Sequence, residues 1–248
     1  MELNKFKPRP KPIRYLAGYL AMFLGVTAAR VKVKGRRNIP VKGPCLVAMN
    51  HFSMVDPALI LYAIQKPVNF LMASDQDVEL IYIWAAWLYG FIPTNRIKLA
   101  PSTIKTARRL LNRNAFVGIF PEGNTHSNVL RPPKKGALYI AHSTGAPILP
   151  VAIEGAELTW DAWKKGQRPS IVVRIGKPFL LPEFTGRNHE RNEFLRRNGD
   201  DLMLRIAGLL SDKYHGHYAG WPEITQYRSE NRFADPSAVA RSNTIPKA

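Results

Sequence analysis

The sequence predicts an α/β domain in which a mostly parallel sheet is covered by helices on both faces. From residue 44 onward, short apolar runs of strand length alternate with segments of helical periodicity. Strands that alternate with helices in this way form parallel sheets. The chain of 248 residues, 46% of them hydrophobic and 22% charged, is long enough to bury a sizeable core within one domain.

Each predicted element follows from its local pattern. The strands are the apolar runs Cys45–Met49, Val68–Ala73, Phe116–Phe120, Ile148–Ile153 and Ile171–Ile175, with a short one at Phe91–Pro93. The helices are Pro57–Gln65, Asp75–Tyr89, Ser102–Asn112, Gly136–Thr144 and Asn192–Tyr214. Pro57 follows Asp56 and suits the first turn of a helix. Ser74 with Asp77 resembles a capping box.

The first 37 residues carry half of the positive charge of the chain. The whole chain has 36 Lys and Arg against 18 Asp and Glu, a net charge of +18, and residues 1–37 hold ten basic residues and one acidic residue. These charges flank the uncharged run Tyr15–Ala29, which is shorter than the roughly 20 residues that span a bilayer. A short apolar helix with a basic rim is typical of a segment in an anionic membrane interface. A signal peptide and a buried helix are the alternatives, and the basic cluster after the run argues against export.

These patterns divide the chain into three parts: an anchoring segment (1–37), an α/β domain (38–225) and a polar tail (226–248). A second uncharged run, Leu80–Pro93, is either a buried helix or a surface that faces lipid. So basic a chain favours phosphate-rich partners: nucleic acid, an anionic membrane, or acidic substrates and carriers. The single cysteine, Cys45, excludes an intrachain disulfide and lies in a predicted strand, where we expect it to be buried.

A histidine and an aspartate follow the first predicted strand, in the run NHFSMVD (50–56). In open α/β sheets, ligands bind beyond the carboxyl ends of the strands, where we expect His51. A neutral imidazole can take a proton from a hydroxyl when a carboxylate fixes its tautomer, and Asp56 is close enough to turn back to it. Asp56 is equally suited to cap the helix after it, and His51 alone could be a structural histidine.

Further polar residues follow other predicted strands. Glu122 and Gly123 form a corner after the strand that ends at Phe120, on the same edge as His51. Arg96 follows the short strand at Phe91–Pro93. A Lys pair ending at Lys135 stands at a helix start, which is unfavourable with the helix dipole unless an anion lies there. Arg96, Lys135 and this helix start could therefore bind a phosphate, or they form an ordinary solvated basic face.

Four blocks in this order resemble those of the glycerolipid acyltransferases, most closely the bacterial 1-acyl-sn-glycerol-3-phosphate (lysophosphatidic acid) acyltransferases. NHFSMVD (50–56) resembles the family's NHxxxxD block, and GFIPTNR (90–96) resembles its second block. FPEGNTHS (120–127) resembles the third block, usually FPEGTRS, and ILPVAI (148–153) resembles the fourth. The match extends roughly from Ile39 to Gly176, and four ordered blocks are far more specific than any one of them.

The resemblance implies a role for each matching residue. His51 would be the general base and Asp56 the carboxylate that orients it. Arg96 would bind the acceptor phosphate. Other residues implied in substrate binding are Glu122, Gly123, Thr125, His126 and Lys135. Asn50 and Pro150 would be structural or line the acyl site.

The activity implied by the resemblance is an O-acyl transfer in phospholipid biosynthesis. The acyl chain of a thioester, acyl-CoA or acyl carrier protein, would pass to the free hydroxyl of lysophosphatidic acid and give phosphatidic acid. These thioesters are co-substrates, and neither a metal nor a cofactor is implied. The expected location is the cytoplasmic face of the cell membrane, monotopic or peripheral, with anionic lipids as partners and no nucleic acid.

One departure from the family pattern leaves the acceptor open. Where the family has Thr-Arg-Ser, this chain has Asn124-Thr125-His126-Ser127, so an Arg is missing and His126 is an imperfect substitute. Another lysophospholipid, an amino-lipid or a glycolipid is therefore the alternative acceptor. A nucleic-acid-binding protein would also explain the charge, but no binding motif supports it. A catalytically silent membrane-binding protein is disfavoured because both His51 and Asp56 are present.

Overall fold

Seven strands lie in one sheet within the residues that the computed structural model describes, which are 9–73, 91–94, 100–123 and 127–231. In chain order they are β1 (Arg30–Lys34), β2 (Cys45–Met49), β3 (Val68–Ala73), β4 (Ile92–Thr94), β5 (Phe116–Ile119), β6 (Ile148–Glu154) and β7 (Ser170–Ile175). Their order across the sheet is β1-β7-β6-β2-β5-β3-β4, and each neighbouring pair is parallel except β6 with β7. The predicted α/β fold with a mostly parallel sheet is confirmed.

The described helices are α1 (Lys11–Ala28), α2 (Asp56–Ile64), α3 (Pro101–Leu111), α4 (Lys135–Thr144), α5 (Thr159–Lys164), α6 (Arg191–Ala207) and α7 (Glu223–Glu230). One core cluster includes residues of α3, α4, α6 and α7, and the other includes residues of α2 with α1 packed against it. These two clusters lie on opposite faces of the sheet.

Strand β2 contributes to both clusters because successive side chains of a strand point to opposite faces. Leu46 and Ala48 belong to the first cluster, whereas Cys45, Val47 and Met49 belong to the second. All five are fully buried. A strand covered on both faces is apolar throughout instead of alternating, which is the pattern of CLVAM. The central position of β2 therefore follows from its own sequence.

The folded domain extends beyond both ends of the predicted α/β part. Strand β1, RVKVK, pairs with β7 although it falls in the segment predicted as an anchor. Its basic side chains are exposed and its two valines half-buried, which is the alternation of an edge strand. The prediction of an anchor followed the charge of this segment and missed the alternation. Helix α7 continues to Glu230, into the segment predicted as a loose tail, and buries Ile224 and Tyr227.

The helix predicted at Asn192–Tyr214 is too long. Helix α6 ends at Ala207, and Asp212–Tyr214 forms a separate 3-10 turn. At Gly208 the chain passes against α7, where an added Cβ would lie 2.9 Å from the Cβ of Tyr227. The helix predicted at Asp75–Tyr89 and its cap at Ser74 lie outside the described residues.

Helix α1 presents one buried face and one exposed apolar face. On the buried side, Arg14 donates a hydrogen bond from Nη2 to the carbonyl oxygen of Val68 in β3, at 3.1 Å. The large exposed side chains of this helix are apolar or aromatic: Ile13, Tyr15, Leu16, Tyr19, Leu20 and Phe23. Among the described helices, α1 included, none is both long and apolar enough to cross a membrane.

Candidate active site

Of the predicted site residues that the structure describes, His51, Asp56, Glu122 and Gly123 follow strands at the carboxyl edge of the sheet. Strands β2, β3, β4, β5 and β6 run in the same direction, so their carboxyl ends share one edge. His51 follows the end of β2 by two residues, and Glu122 follows the end of β5 by three. This edge is the general ligand position of open α/β sheets.

His51 and Asp56 form a hydrogen-bonded pair. Nδ1 of His51 lies 3.0 Å from Oδ2 of Asp56, and the same oxygen accepts the backbone N–H groups of Phe52 and Ser53, each at 2.9 Å. Because a carboxylate only accepts hydrogen bonds, it fixes the proton of the neutral ring on Nδ1. Nε2 then keeps its lone pair and can take a proton from a hydroxyl, as a general base does.

Asp56 is fully buried and begins helix α2. Burial raises the pKa of its carboxyl, while the hydrogen bonds from His51, Ser53 and Phe52 act in the opposite direction. The alternative capping role is not observed, because the N-cap position is Val55 and makes no side-chain capping bond. The carboxylate instead accepts from the loop that precedes the helix.

The ring of His51 is also held by an aromatic stack. The ring of Phe120 lies 3.8 Å from it, centroid to centroid, at an interplanar angle of 20°. Phe70 stacks behind Phe120 at 6.3 Å. No local sequence pattern predicts this contact, because it requires the end of β5 to lie beside the end of β2.

Glu122 connects two loops at the site. Its side chain is 1% exposed. Oε1 accepts the backbone N–H of His51, and Oε2 accepts the backbone N–H of Arg131, both at 3.2 Å. Burial raises the pKa of Glu122 to about 7. In this structure both carboxylate oxygens bind the protein itself, so the geometry favours a positioning role over the predicted contact with the acceptor.

Asn50 and Pro150 lie in the sheet layer below the site. Asn50 is fully buried, donates from Nδ2 to the carbonyl oxygen of Ile153 and accepts the N–H of the same residue with Oδ1, both at 2.8 Å. The exit of β2 is thereby tied to the end of β6. Pro150 lies within β6 opposite Ala48 of β2. The role predicted for both residues, structural or lining the acyl site, stays a prediction.

Lys135 is the one predicted phosphate-binding cation that the described residues include. Arg96, Thr125 and His126 lie outside them. Nζ of Lys135 lies 3.3 Å from Oδ1 of Asn192 in α6. The neighbouring Lys134 covers Gly123 instead, because its Nζ lies 3.1 Å from the position that a Cβ on Gly123 would take. Gly123 has φ 74°, a conformation that glycine adopts readily.

Cys45 is buried in β2, as predicted, and burial raises the pKa of its thiol to about 12. A thiol that stays protonated and out of contact with solvent cannot act as a nucleophile. In the part of the chain that the structure describes, no three His, Cys, Asp or Glu side chains are grouped to hold a metal ion.

Comparison with known proteins identifies the family. The family model described as Acyltransferase matches residues 30–154, half of the chain, from β1 to the end of β6. The chain belongs to the Acyltransferase family. The predicted enzyme class, an O-acyltransferase, is confirmed. The matched range contains the His51–Asp56 pair and Glu122.

Named relatives of this acyltransferase agree with the resemblance seen in the sequence. The chain is 29% identical over 177 residues to the 1-acyl-sn-glycerol-3-phosphate acyltransferase of Bacillus subtilis, covering 69% of this chain and 84% of that protein. It is 29% identical over 214 residues to the probable 1-acyl-sn-glycerol-3-phosphate acyltransferase of Mycoplasma genitalium, covering 83% and 79%. The crystal structure of the 1-acyl-sn-glycerophosphate acyltransferase PlsC from Thermotoga maritima matches with a TM-score of 0.52 at 23% identity, over 77% of this chain and 78% of that one. This last likeness shows the shared fold.

Proposed function

We propose that this acyltransferase transfers the acyl chain of a thioester to the free hydroxyl of lysophosphatidic acid, giving phosphatidic acid. The observation that carries the proposal is the His51–Asp56 pair at the carboxyl edge, with Nε2 available to take a proton. The names of the Bacillus and Mycoplasma relatives, 1-acyl-sn-glycerol-3-phosphate acyltransferases, support this acceptor.

The proposed reaction is a direct transfer. Nε2 of His51 takes the proton of the acceptor hydroxyl as its oxygen attacks the thioester carbonyl, and Asp56 stabilises the imidazolium that forms. The tetrahedral intermediate collapses by breaking the carbon–sulfur bond, and the leaving thiolate recovers the proton from Nε2. No acyl-enzyme is required, which agrees with the burial of Cys45.

We assign the acceptor phosphate to Lys134, which lies beside Gly123, and to Arg96. The side chain of Lys134 covers this glycine. The backbone N–H of Lys134 also donates to the carbonyl oxygen of Pro121, two residues before Gly123, at 2.8 Å. Arg96 is retained from the family resemblance as a second cation. Phosphate oxygens form strong charge-assisted hydrogen bonds with such groups. Lys135, whose Nζ contacts Asn192, serves as the matched comparison for Lys134.

We further propose that the protein is attached to the cytoplasmic face of the membrane through helix α1. The exposed side of α1 carries Leu16, Tyr19 and Phe23, at 69%, 62% and 64% exposure, and basic residues flank the helix. Apolar side chains with a basic rim suit an anionic bilayer surface. The acyl donors, acyl-CoA and acyl carrier protein, are acidic and suit the same net charge.

The decisive experiment measures thiol release from acyl-CoA in detergent micelles that contain lysophosphatidic acid. We expect turnover by the wild type and a loss of about 100- to 10,000-fold in His51→Ala, as for removal of a general base. Asn192→Ala, away from the pair, is the control for general damage. Wild-type turnover in a folded His51→Ala protein would rule out the mechanism.

A second experiment tests the acceptor. Arg96→Ala and Lys134→Ala should each raise the KM for lysophosphatidic acid about 10- to 100-fold, as expected for a charged hydrogen bond of about 1.5–3 kcal/mol. Both should change the KM for monoacylglycerol much less, and Lys135→Ala should change neither. Equal losses on the two acceptors would remove the phosphate role. A wild type that prefers monoacylglycerol would refute the lysophosphatidic acid assignment and leave the acyltransferase chemistry.

A further inference from the structure

The short helix α5 carries an exposed aromatic surface outside the active site. Leu158, Trp160 and Trp163 are 55%, 40% and 37% exposed. The two indole rings contact each other edge to face, with centroids 5.3 Å apart. Three large apolar side chains exposed within six residues are uncommon on a surface that faces only water, and contiguous exposed apolar patches mark interaction sites.

Helix α5 is fastened to the end of α1. Nε1 of Trp163 donates to the carbonyl oxygen of Ala28 at 2.8 Å, and Nη2 of Arg168 donates to that of Ala29 at 3.0 Å. These bonds satisfy carbonyl groups at and just beyond the carboxyl end of α1. The aromatic surface of α5 therefore adjoins the helix whose exposed face carries Leu16, Tyr19 and Phe23.

The aromatic surface of α5 and the carboxyl end of α1 lie at the edge of the sheet that holds the active site. Strand β6 is parallel to β2 and β7 is antiparallel to β6, so the connection that contains α5 leaves and re-enters at the carboxyl edge. Strand β1 starts at the same edge, because Arg30 pairs with Ser170 at the start of β7. His51 follows β2 at this edge, two strands from the start of β7.

The charge around the patch is positive. Within residues 158–168, the exposed charges are those of Lys164, Lys165 and Arg168 against the one acidic residue Asp161. Arg30 adds a further exposed basic side chain, because it starts β1 beside Ser170 at the same edge. Aromatic rings beside lysines and arginines match an anionic lipid surface, where indoles occupy the headgroup level and the cations attract the lipid charge.

We propose that Trp160 and Trp163, with Lys164 and Lys165, form a second contact with an anionic lipid surface, and that this contact turns the carboxyl edge of the sheet toward the bilayer. The inference rests on the proposed action on membrane lipids and adds the orientation of the enzyme. A lipid acceptor would then reach His51 with its acyl chain still beside the membrane. Helix α1 by itself gives a single line of contact, and a second contact beside its carboxyl end resists tilting of the domain about that line.

The test is partition of the full-length protein onto vesicles of equal parts phosphatidylglycerol and phosphatidylcholine. Trp160→Ala should weaken partition about tenfold, which corresponds to about 1.4 kcal/mol. Lys164→Glu with Lys165→Glu should weaken it about 30-fold, and raised salt should narrow that difference. Trp221→Ala is the matched control, because Trp221 is 38% exposed but makes an edge-to-face contact with Tyr218 beside α7, on the other face of the sheet. It should change partition less than twofold.

Fluorescence quenching by brominated phosphatidylcholine in the same vesicles gives a direct readout. Trp160→Phe should remove part of the quenchable signal, whereas Trp221→Phe should retain it. Partition of Trp160→Ala equal to the wild type, or equal losses for Trp160 and Trp221, would overturn the proposal. The proposal would also be overturned if Trp160→Ala kept vesicle partition and lost only its turnover with acyl carrier protein as the donor, because α5 would then bind a protein. Turnover in detergent micelles separately tests the proposed function, and its absence would leave the partition result valid.

Discussion

Asp56→Asn separates two contributions of this carboxylate: the orientation of the His51 ring and the negative charge beside it. Oδ2 accepts from two backbone N–H groups, those of Phe52 and Ser53, as well as from the ring. An NH₂ group in that place would face three N–H donors, so the amide oxygen must occupy it. The variant therefore keeps the hydrogen bond to Nδ1 and loses only the charge.

The magnitude follows from the difference between charged and neutral hydrogen bonds. A bond to a charged group contributes about 1.5–3 kcal/mol and a neutral one about 0.5–1.5 kcal/mol. The loss of about 1–2 kcal/mol in Asp56→Asn lowers turnover roughly 5- to 30-fold. Asp56→Ala leaves the buried N–H groups of Phe52 and Ser53 without an acceptor, at about 1–3 kcal/mol each, and releases the ring. It should therefore lose both activity and stability.

The assay is thiol release from acyl-CoA at saturating acceptor, with urea unfolding of each variant as the measure of stability. The expected order of turnover is wild type, Asp56→Asn, then Asp56→Ala with His51→Ala. Asp212→Asn is the control for the same chemical change, since that carboxylate is 80% exposed and pairs with Arg228. A folded Asp56→Asn as inactive as His51→Ala would refute the orientation by the backbone N–H groups. Wild-type turnover in it would show that the charge has no role.

Three further changes test the frame around the site. Burial raises the pKa of Glu122 from 4.5 to about 7. Its contribution to stability is therefore fully present below pH 4.5 and is lost as the pH rises through 7. Glu122→Gln should remove this pH-dependent loss, about 3 kcal/mol in the free energy of unfolding by urea. Asn50→Ala should lower the free energy of unfolding by about 2–4 kcal/mol, because it leaves two buried backbone groups of β6 unpaired. Asn38→Ala, which removes one half-buried bond, should lower it less, and equal losses would contradict this reasoning. Gly118→Ala should cost about 1–3 kcal/mol, since its Cβ would lie 2.6 Å from the ring of Phe70; an unchanged melting temperature would contradict the close packing.

Much of the architecture could be read from local patterns. The run CLVAM is apolar at every position, which fits only a strand or a helix that is buried on all sides. Five residues are too few for a buried helix, so the run predicts a strand. The corner after Phe120 and the NHFSMVD run each follow such a strand. Their position at the carboxyl edge could therefore be predicted from the direction of the chain, because parallel strands end at the same edge. The pairing of His51 with Asp56 could also be predicted, because the four residues between them suffice for the chain to turn back.

Other contacts depend on which strands become neighbours, and local patterns do not encode that order. Glu122 accepts the backbone N–H of His51 across 71 residues because β5 inserts beside β2. Lys134, not Lys135, covers Gly123, and which of two adjacent lysines does so depends on how the loop before α4 returns to the site.

The sequence by itself determined the strands from β2 to β7, the proximity of His51 to Asp56 and the family resemblance, because each depends on residues close together in the chain. The tertiary structure alone decided the partners of Glu122, the inclusion of β1 in the sheet and the contact of Trp163 with the end of α1. The physical reason is that these contacts join segments far apart in sequence, 140 residues in the pairing of Arg30 with Ser170, which meet only when the buried strands assemble. Apolar periodicity indicates that a strand is buried, but the packing of the whole sheet determines which strand becomes its neighbour.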